Sequence, residues 1–182
     1  GRLVFPIGLG ELLPAHKKYL QGRGFDWQEI ERLWGIRGLG PLGELKWRIW
    51  VPIHYRGEVV SWTTRSISDK VKTRYWSARS DQEKISLRKV LYGFDYVQHV
   101  CICVEGPVDV WRIGPGAVAT LGTGFSQAQV RLIDSIPKKI ICFDAEPAAQ
   151  KRAERLINSL ASPGSVDNVI LETGKDPGDC SQ

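Results

Sequence analysis

Methionine is missing from all 182 residues. A natural reading frame starts on one, so the expectation is a piece excised from a longer polypeptide, or a chain trimmed at its front. Long apolar runs are missing too. Nothing approaches the roughly 18–20 residues needed to span a bilayer, and "GRLVFPIGLGELLPAH" carries no small-residue cleavage pattern. The sequence predicts a cytoplasmic protein with no membrane partner. Histidine is scarce: His16, His54 and His99 share no ligand-like spacing. Of the four cysteines, Cys101 and Cys103 point to one strand face, but no second pair stands at metal spacing. They read as small core hydrophobes. No Ser/His/Asp or Cys/His constellation, phosphate-binding loop or dinucleotide fingerprint appears. The glycines of "GIRGLGPLG" do not lie between a strand and a helix at the required spacing.

What is present is ordinary in bulk, with 42% apolar and 25% charged residues, but uneven in charge. Residues 1–97 carry 17 Lys and Arg against 10 Asp and Glu, a balance of +7, whereas residues 98–182 carry 8 against 10, a balance of −2. A basic front and an acidic back suit a polyanion bound by one part and divalent cations held by the other. The pattern of elements changes near the same place. Before it, two short helices within residues 11–35 are expected, the second capped by Asp26. A Gly/Pro-rich loop over 35–44 follows, then an antiparallel hairpin turning at Arg56-Gly57 and a basic loop over 68–84. After it the rhythm becomes strand, helix, strand. Strands are expected over 97–104, 116–122, 138–144 and 166–172, with helices over 107–115, 126–136 and 147–160. The predicted fold class is α/β: a parallel four-stranded sheet flanked by helices (98–182), preceded by a smaller mixed α+β subdomain with antiparallel strands (1–97).

Two of those strands end on acids. In "HVCICVEGPVDVWRI" the apolar run stops at Glu105, with Asp109 one helical turn on; in "KKIICFDAEPAAQ" it stops at Asp144, followed by Glu146. Open parallel sheets bind ligands beyond the carboxyl ends of their strands. Glu105, Asp144 and the segment Gly174-Lys175-Asp176-Pro177 are therefore expected in one crevice. Clustered carboxylates repel, and a divalent cation relieves the repulsion; Mg²⁺ favours one or two carboxylates together with waters and phosphates.

"VEGPVDV", "AVATLGTG", "ICFDAEPAAQKRA" and "GKDPGD" together resemble the Toprim domain in order and spacing. The family spans bacterial (DnaG-like) primases, topoisomerases, recombination factors and nucleases. "YLQGRGFDWQEIERLWGI", "WRIWVPIHYRGEVVSWTTRSI", "TRYWS" and "KVLYGFD" are similar to the first subdomain of a primase RNA-polymerase core, with a phage or mobile-element version in view. The resemblance runs from about Leu13 to Asp179. It implies DNA-templated RNA primer synthesis with Mg²⁺ or Mn²⁺. Glu105, Asp144 and Glu146 take the catalytic positions, and Asp109 and Asp176 join them as metal ligands. Arg65, Arg74, Tyr75 and Lys175 take nucleotide- and template-binding positions. Implied partners are single-stranded DNA, nucleoside triphosphates, a replicative helicase or helicase domain, and a separate or upstream zinc-binding module, in a bacterial cell or phage-infected host. Some positions depart from the family pattern. Glu146 stands where Asp is usual, Thr63-Thr64 replace two glycines before Arg65, Arg74 replaces Lys, and "YWSA" loses an amide. A nuclease or topoisomerase-like enzyme would use the same acids to cut, and a non-catalytic nucleic-acid-binding module would keep the fold alone.

Overall fold

β3 (Arg48–Tyr55) and β4 (Glu58–Ser66) form the expected hairpin. Their connection, Arg56-Gly57, has φ of 55° and 79°, the two-residue turn whose twist suits paired strands. The structure, a computed structural model, describes residues 1–122, 124–161, 166–171 and 176–180. Its contacts divide the chain into two units, Gly1–Ile53 with Glu58–Ser86, and His54–Gly57 with Leu87–Gln182. The division along the chain thus falls at Leu87, earlier than the rhythm change suggested, and the hairpin tip belongs with the second unit.

In the first unit the five-stranded sheet has the order β1-β2-β3-β4-β5. Beside it lie α1 (Pro14–Gly22) and α2 (Trp27–Trp34). Asp26 caps α2 by accepting the Gln28 amide at 3.0 Å, and Gly35 ends it in the left-handed conformation. Two strands lie where loops are expected. β2 (Arg37–Leu39) pairs with β1 (Leu9–Gly10) and with β3. β5 (Tyr75–Ser77) pairs with β4. A Gly-rich triplet has little strand propensity, and its partners impose the conformation. Gly38 also meets a close approach: a Cβ there would sit 2.4 Å from Glu11 O and 2.8 Å from the His16 ring. That ring is fully buried and accepts the Leu13 amide. From Arg48 to Ile53, β3 is buried on both faces rather than one. The Trp50 and Trp62 side packs with Leu3 and Leu9, and Trp62 Nε1 donates to Val4 O at 2.8 Å.

The second unit holds the parallel sheet, order β7-β6-β8-β9, from β6 (Val100–Val104), β7 (Ala117–Ala119), β8 (Lys138–Ile141) and β9 (Val166–Asn168). Helices α3 (Pro107–Ile113), α4 (Gln127–Asp134) and α5 (Pro147–Ser159) alternate with the strands. Cys101, Cys103 and Ile141 build the core with Ile133, Phe143, Ala153 and Leu156. The two thiols are 3.9 Å apart, in the packing role the sequence suggested. One core position breaks the pattern. Lys139, in register with Cys101, is fully buried, and its Nζ has no hydrogen-bond partner among the described residues.

Candidate active site

β6 and β8 are neighbouring parallel strands, paired Cys103 to Ile141, and the pairing continues with Cys142 N donating to Cys103 O at 2.9 Å. Residues just past their carboxyl ends therefore emerge side by side. Glu105 follows β6 and Asp144 follows β8, and the charge of Glu105 acts on the Asp144 carboxyl. Asp144 is pushed up to about 6 by burial, then by the charges of Glu105, Asp176 and Glu146. A carboxyl group shifted this way is one whose neighbours are also anionic. Glu146 is exposed at the N-cap of α5. Gln150, on the first turn of α5, fixes the strand exit by donating Nε2 to Asp144 O at 2.8 Å. Asn168 in turn donates to Gln150 Oε1 at 3.1 Å.

Asp109 stands behind this cluster, buried on α3. Its Oδ2 accepts the Gly106 amide at 3.1 Å and its Oδ1 the Gly178 amide at 2.9 Å. Burial and the charge of Asp176 push it up to about 7, against the lowering effect of those two amides. Arg112, one turn along α3, donates to Gly178 O at 3.2 Å. Asp109 and Arg112 together clamp the 3-10 turn Pro177–Asp179 by its glycine, and Asp176, which caps that turn through the Asp179 amide at 2.9 Å, is held in consequence. Gly178 is required: an added Cβ would lie 2.9 Å from Asp109 Oδ1 and 3.0 Å from Val108 Cγ1. Both Asp109 oxygens thus accept backbone amides. Lys175 and Gly174 lie outside the described residues.

Among the described residues, no three carboxylate, imidazole or thiol groups stand ready to hold a metal ion as they are. One of the acids, Glu105, is instead paired with Arg152 on α5. Its Nε and Nη2 both donate to Glu105 Oε1, at 3.0 and 2.5 Å, with the two side chains 21% and 18% exposed. The oxygen-only donor set and the raised Asp144 fit a hard divalent cation, provided that Arg152 releases Glu105. Sequence reasoning missed this arginine. Its only signal was a cation at mid-helix in the segment after Asp144, which resembles any solvated helix face.

The basic candidates Arg65 and Arg74 belong to the first unit. Arg65 on β4 faces Tyr75 on β5 in register. It is 8% exposed, donates Nε to Tyr19 Oη at 3.1 Å, and its guanidinium lies 4.9 Å from the Tyr75 ring centroid. Arg74 is exposed, and so is Trp76, at 48%. Behind them, buried Arg48 donates to Thr73 O at 2.8 Å and Arg74 O at 3.3 Å. This pins the backbone that presents Arg74. Thr64, in place of a family glycine, donates its hydroxyl to Trp76 O at 2.9 Å, so the departure ties β5 to the sheet.

Residues 102–181 match the Toprim-like family model. A DNA primase of Synechococcus elongatus is 30% identical over 158 residues, which cover 76% of this chain and 22% of that protein. The chain therefore spans about a fifth of that relative's length. Three solved structures share the fold. The DnaG primase catalytic domain bound to ssDNA superposes with a TM-score of 0.76 at 19% identity, covering 91% of this chain and 67% of that one. The Aquifex aeolicus primase zinc-binding and RNA polymerase domains give 0.77 at 22%, covering 92% and 52%. The primase fragment of the bacteriophage T7 primase-helicase protein gives 0.66 at 19%, covering 99% and 77%. A parallel sheet running into Glu105 and Asp144, a Toprim-like match over that sheet and DNA primase relatives agree: the chain is similar to the DnaG-like primases and carries a Toprim-like core over residues 102–181.

Proposed function

We propose that this chain is the catalytic core of a primase that joins ribonucleotides on a single-stranded DNA template. The observation that carries the reading is the placement of Glu105 and Asp144 past the ends of adjacent parallel strands, with the charges of Asp176 and Glu146 acting on Asp144. Mg²⁺ or Mn²⁺ would be held by Glu105, Asp144, Glu146 and Asp176, with Asp109 orienting Asp176 from behind. A divalent ion bound there supplies charge stabilisation for phosphoryl transfer. The chain's own groups do the rest. Asp144 gives up its proton above about pH 6 and then accepts the cation. Gln150 and the Asp109–Gly178 clamp keep the carboxylates from swinging apart.

Exposed Arg74 and Trp76 suit contact with template phosphate and base; stacking on one base contributes about 1–3 kcal/mol. Arg65, largely buried between Tyr19 and Tyr75, orients Tyr75, and Lys175 serves the triphosphate. A helicase or helicase domain and a zinc-binding module complete the priming machinery in this reading, in the cytoplasm of a bacterial or phage-infected cell. A non-catalytic nucleic-acid-binding module is favoured by one observation, the occupation of Glu105 by Arg152.

The test supplies single-stranded DNA, labelled ribonucleotides and Mn²⁺ or Mg²⁺, with zinc-module and helicase partners added in trans. Short oligoribonucleotides are expected from the natural chain and none from Glu105→Gln or Asp144→Asn. DNA binding without synthesis would point to the module, and nucleotide-independent cleavage to a nuclease or topoisomerase-like enzyme.

A further inference from the structure

α5 has two unlike sides. Ala149, Ala153 and Leu156 are buried in the core. Arg152, Arg155 and Ser159, spaced by three and four residues, share another side. With Asn158 they line an open pocket of about 420 Å³ that Gly124 and Phe125 also border. That volume lies within the range of small-ligand sites. Among the described lining residues no acid appears, and two are arginines. Phe125 and Ser159 also line a second hollow of about 440 Å³, beside Val130, Arg131 and Asp134. A basic pocket thus lies directly beside an acidic cluster, and Arg152 belongs to both.

We propose that this pocket binds phosphate groups, and that Arg152 trades Glu105 for a bound phosphate, so that filling the pocket uncovers Glu105 for a cation. The cation half rests on the function proposed above; the phosphate half does not. Arg152 uses two of its five N–H donors on a single oxygen of Glu105. A phosphate offers several oxygens and more negative charge, matched to the planar guanidinium fork. Arg155, one turn further on, is exposed and, among the described residues, its side chain is held only by a long 3.4 Å bond to Lys151 O, so it can turn to the same anion at little cost. Once Arg152 leaves, Glu105 is an unpaired, half-buried carboxylate beside Asp144, and a divalent ion is the natural replacement for the lost charge. Anion and cation binding then help each other, and the help is reciprocal. Couplings of this kind usually amount to about 5–150-fold in affinity.

Calorimetric titration of the full chain with inorganic pyrophosphate in EDTA tests the pocket without metal. Binding is expected, weakened about tenfold or more by Arg155→Gln and by Arg152→Gln, and strengthened several-fold by Glu105→Gln, which releases Arg152. Manganese binding, read by electron paramagnetic resonance without pyrophosphate, is expected to tighten in Arg152→Gln. ATP and a short oligothymidylate run in parallel distinguish a nucleotide from a nucleic-acid backbone as the phosphate source. Absence of binding by all three, or binding indifferent to Arg155→Gln, overturns the pocket; an unchanged Glu105→Gln affinity overturns the exchange. Neither result touches the primase reading, which fails instead if no oligoribonucleotide is ever made.

Discussion

Raising the pH from 5 to 8 without metal should cost this protein stability that an Asp109→Asn variant does not lose. The folded-state value of Asp109, about 7, lies above the ordinary 3.8. A carboxyl raised in this way contributes fully below about pH 3.8, where both states are protonated, and loses its contribution as pH climbs toward 7. Over that interval the folded state binds more protons than the unfolded one, so stability falls by about 1.4 kcal/mol per pH unit. Two such units lie between pH 5 and 7, which makes the loss roughly 3 kcal/mol. Asp144 adds to the decline with the same sign, less strongly because it is more exposed and better screened. Asparagine does not titrate, but it can accept only one of the two amides now held by Asp109. Asp109→Asn should therefore be less stable at pH 5 by about 1–3 kcal/mol, with the gap closing by pH 8. In thermal melts, roughly 3 kcal/mol corresponds to a relative change of about 6–12 °C for a chain of this size. Circular dichroism melts of both proteins in EDTA at half-unit steps measure the gap directly. Parallel stability curves from pH 5 to 8 would refute the reasoning. Mn²⁺ added at pH 8 should restore the loss by mass action, about 2.7 kcal/mol at a hundred times its dissociation constant.

Other perturbations have equally definite signs. Lys139→Met should raise stability by about 1–3 kcal/mol, because it removes a fully buried Nζ without a hydrogen-bond partner among the described residues; a lower denaturation midpoint would contradict that account. Gly178→Ala should destabilise by about 1–3 kcal/mol, since the added carbon meets Asp109 and Val108. Gly22→Ala, at the open end of α1, should instead stabilise by about 0.5–1 kcal/mol. Equal effects of these two alanines would deny the close approach at Gly178. Arg48→Met should leave the Thr73 carbonyl unpaired and weaken the hold on Arg74, costing about 1–3 kcal/mol; hydrogen exchange at residues 72–76 should quicken, and unchanged exchange would show that the loop is held otherwise.

The acid cluster was legible because two independent patterns meet in it. Apolar runs such as Val100–Val104 demand buried parallel strands, and strand direction alone sends the residue after each run to the same edge. Glu105 and Asp144 needed nothing more to be brought together. The strands at Arg37–Leu39 and Tyr75–Ser77 were not legible, because glycine and basic residues look like loop until a partner strand supplies their hydrogen bonds. Nor could spacing distinguish Asp109 from Asp176: only the structure shows Asp109 accepting the Gly178 amide and Asp176 the Asp179 amide.

By itself, then, the sequence determined the alternation of strands and helices, the edge where the carboxylates gather and the basic character of the front half, since each follows from local periodicity and charge. Tertiary structure alone decided which arginine neutralises Glu105, which aspartate is spent on backbone amides and which lysine is shut in the core. Those outcomes depend on contacts between residues dozens of positions apart, with energies set by burial, and no local pattern in the chain encodes them.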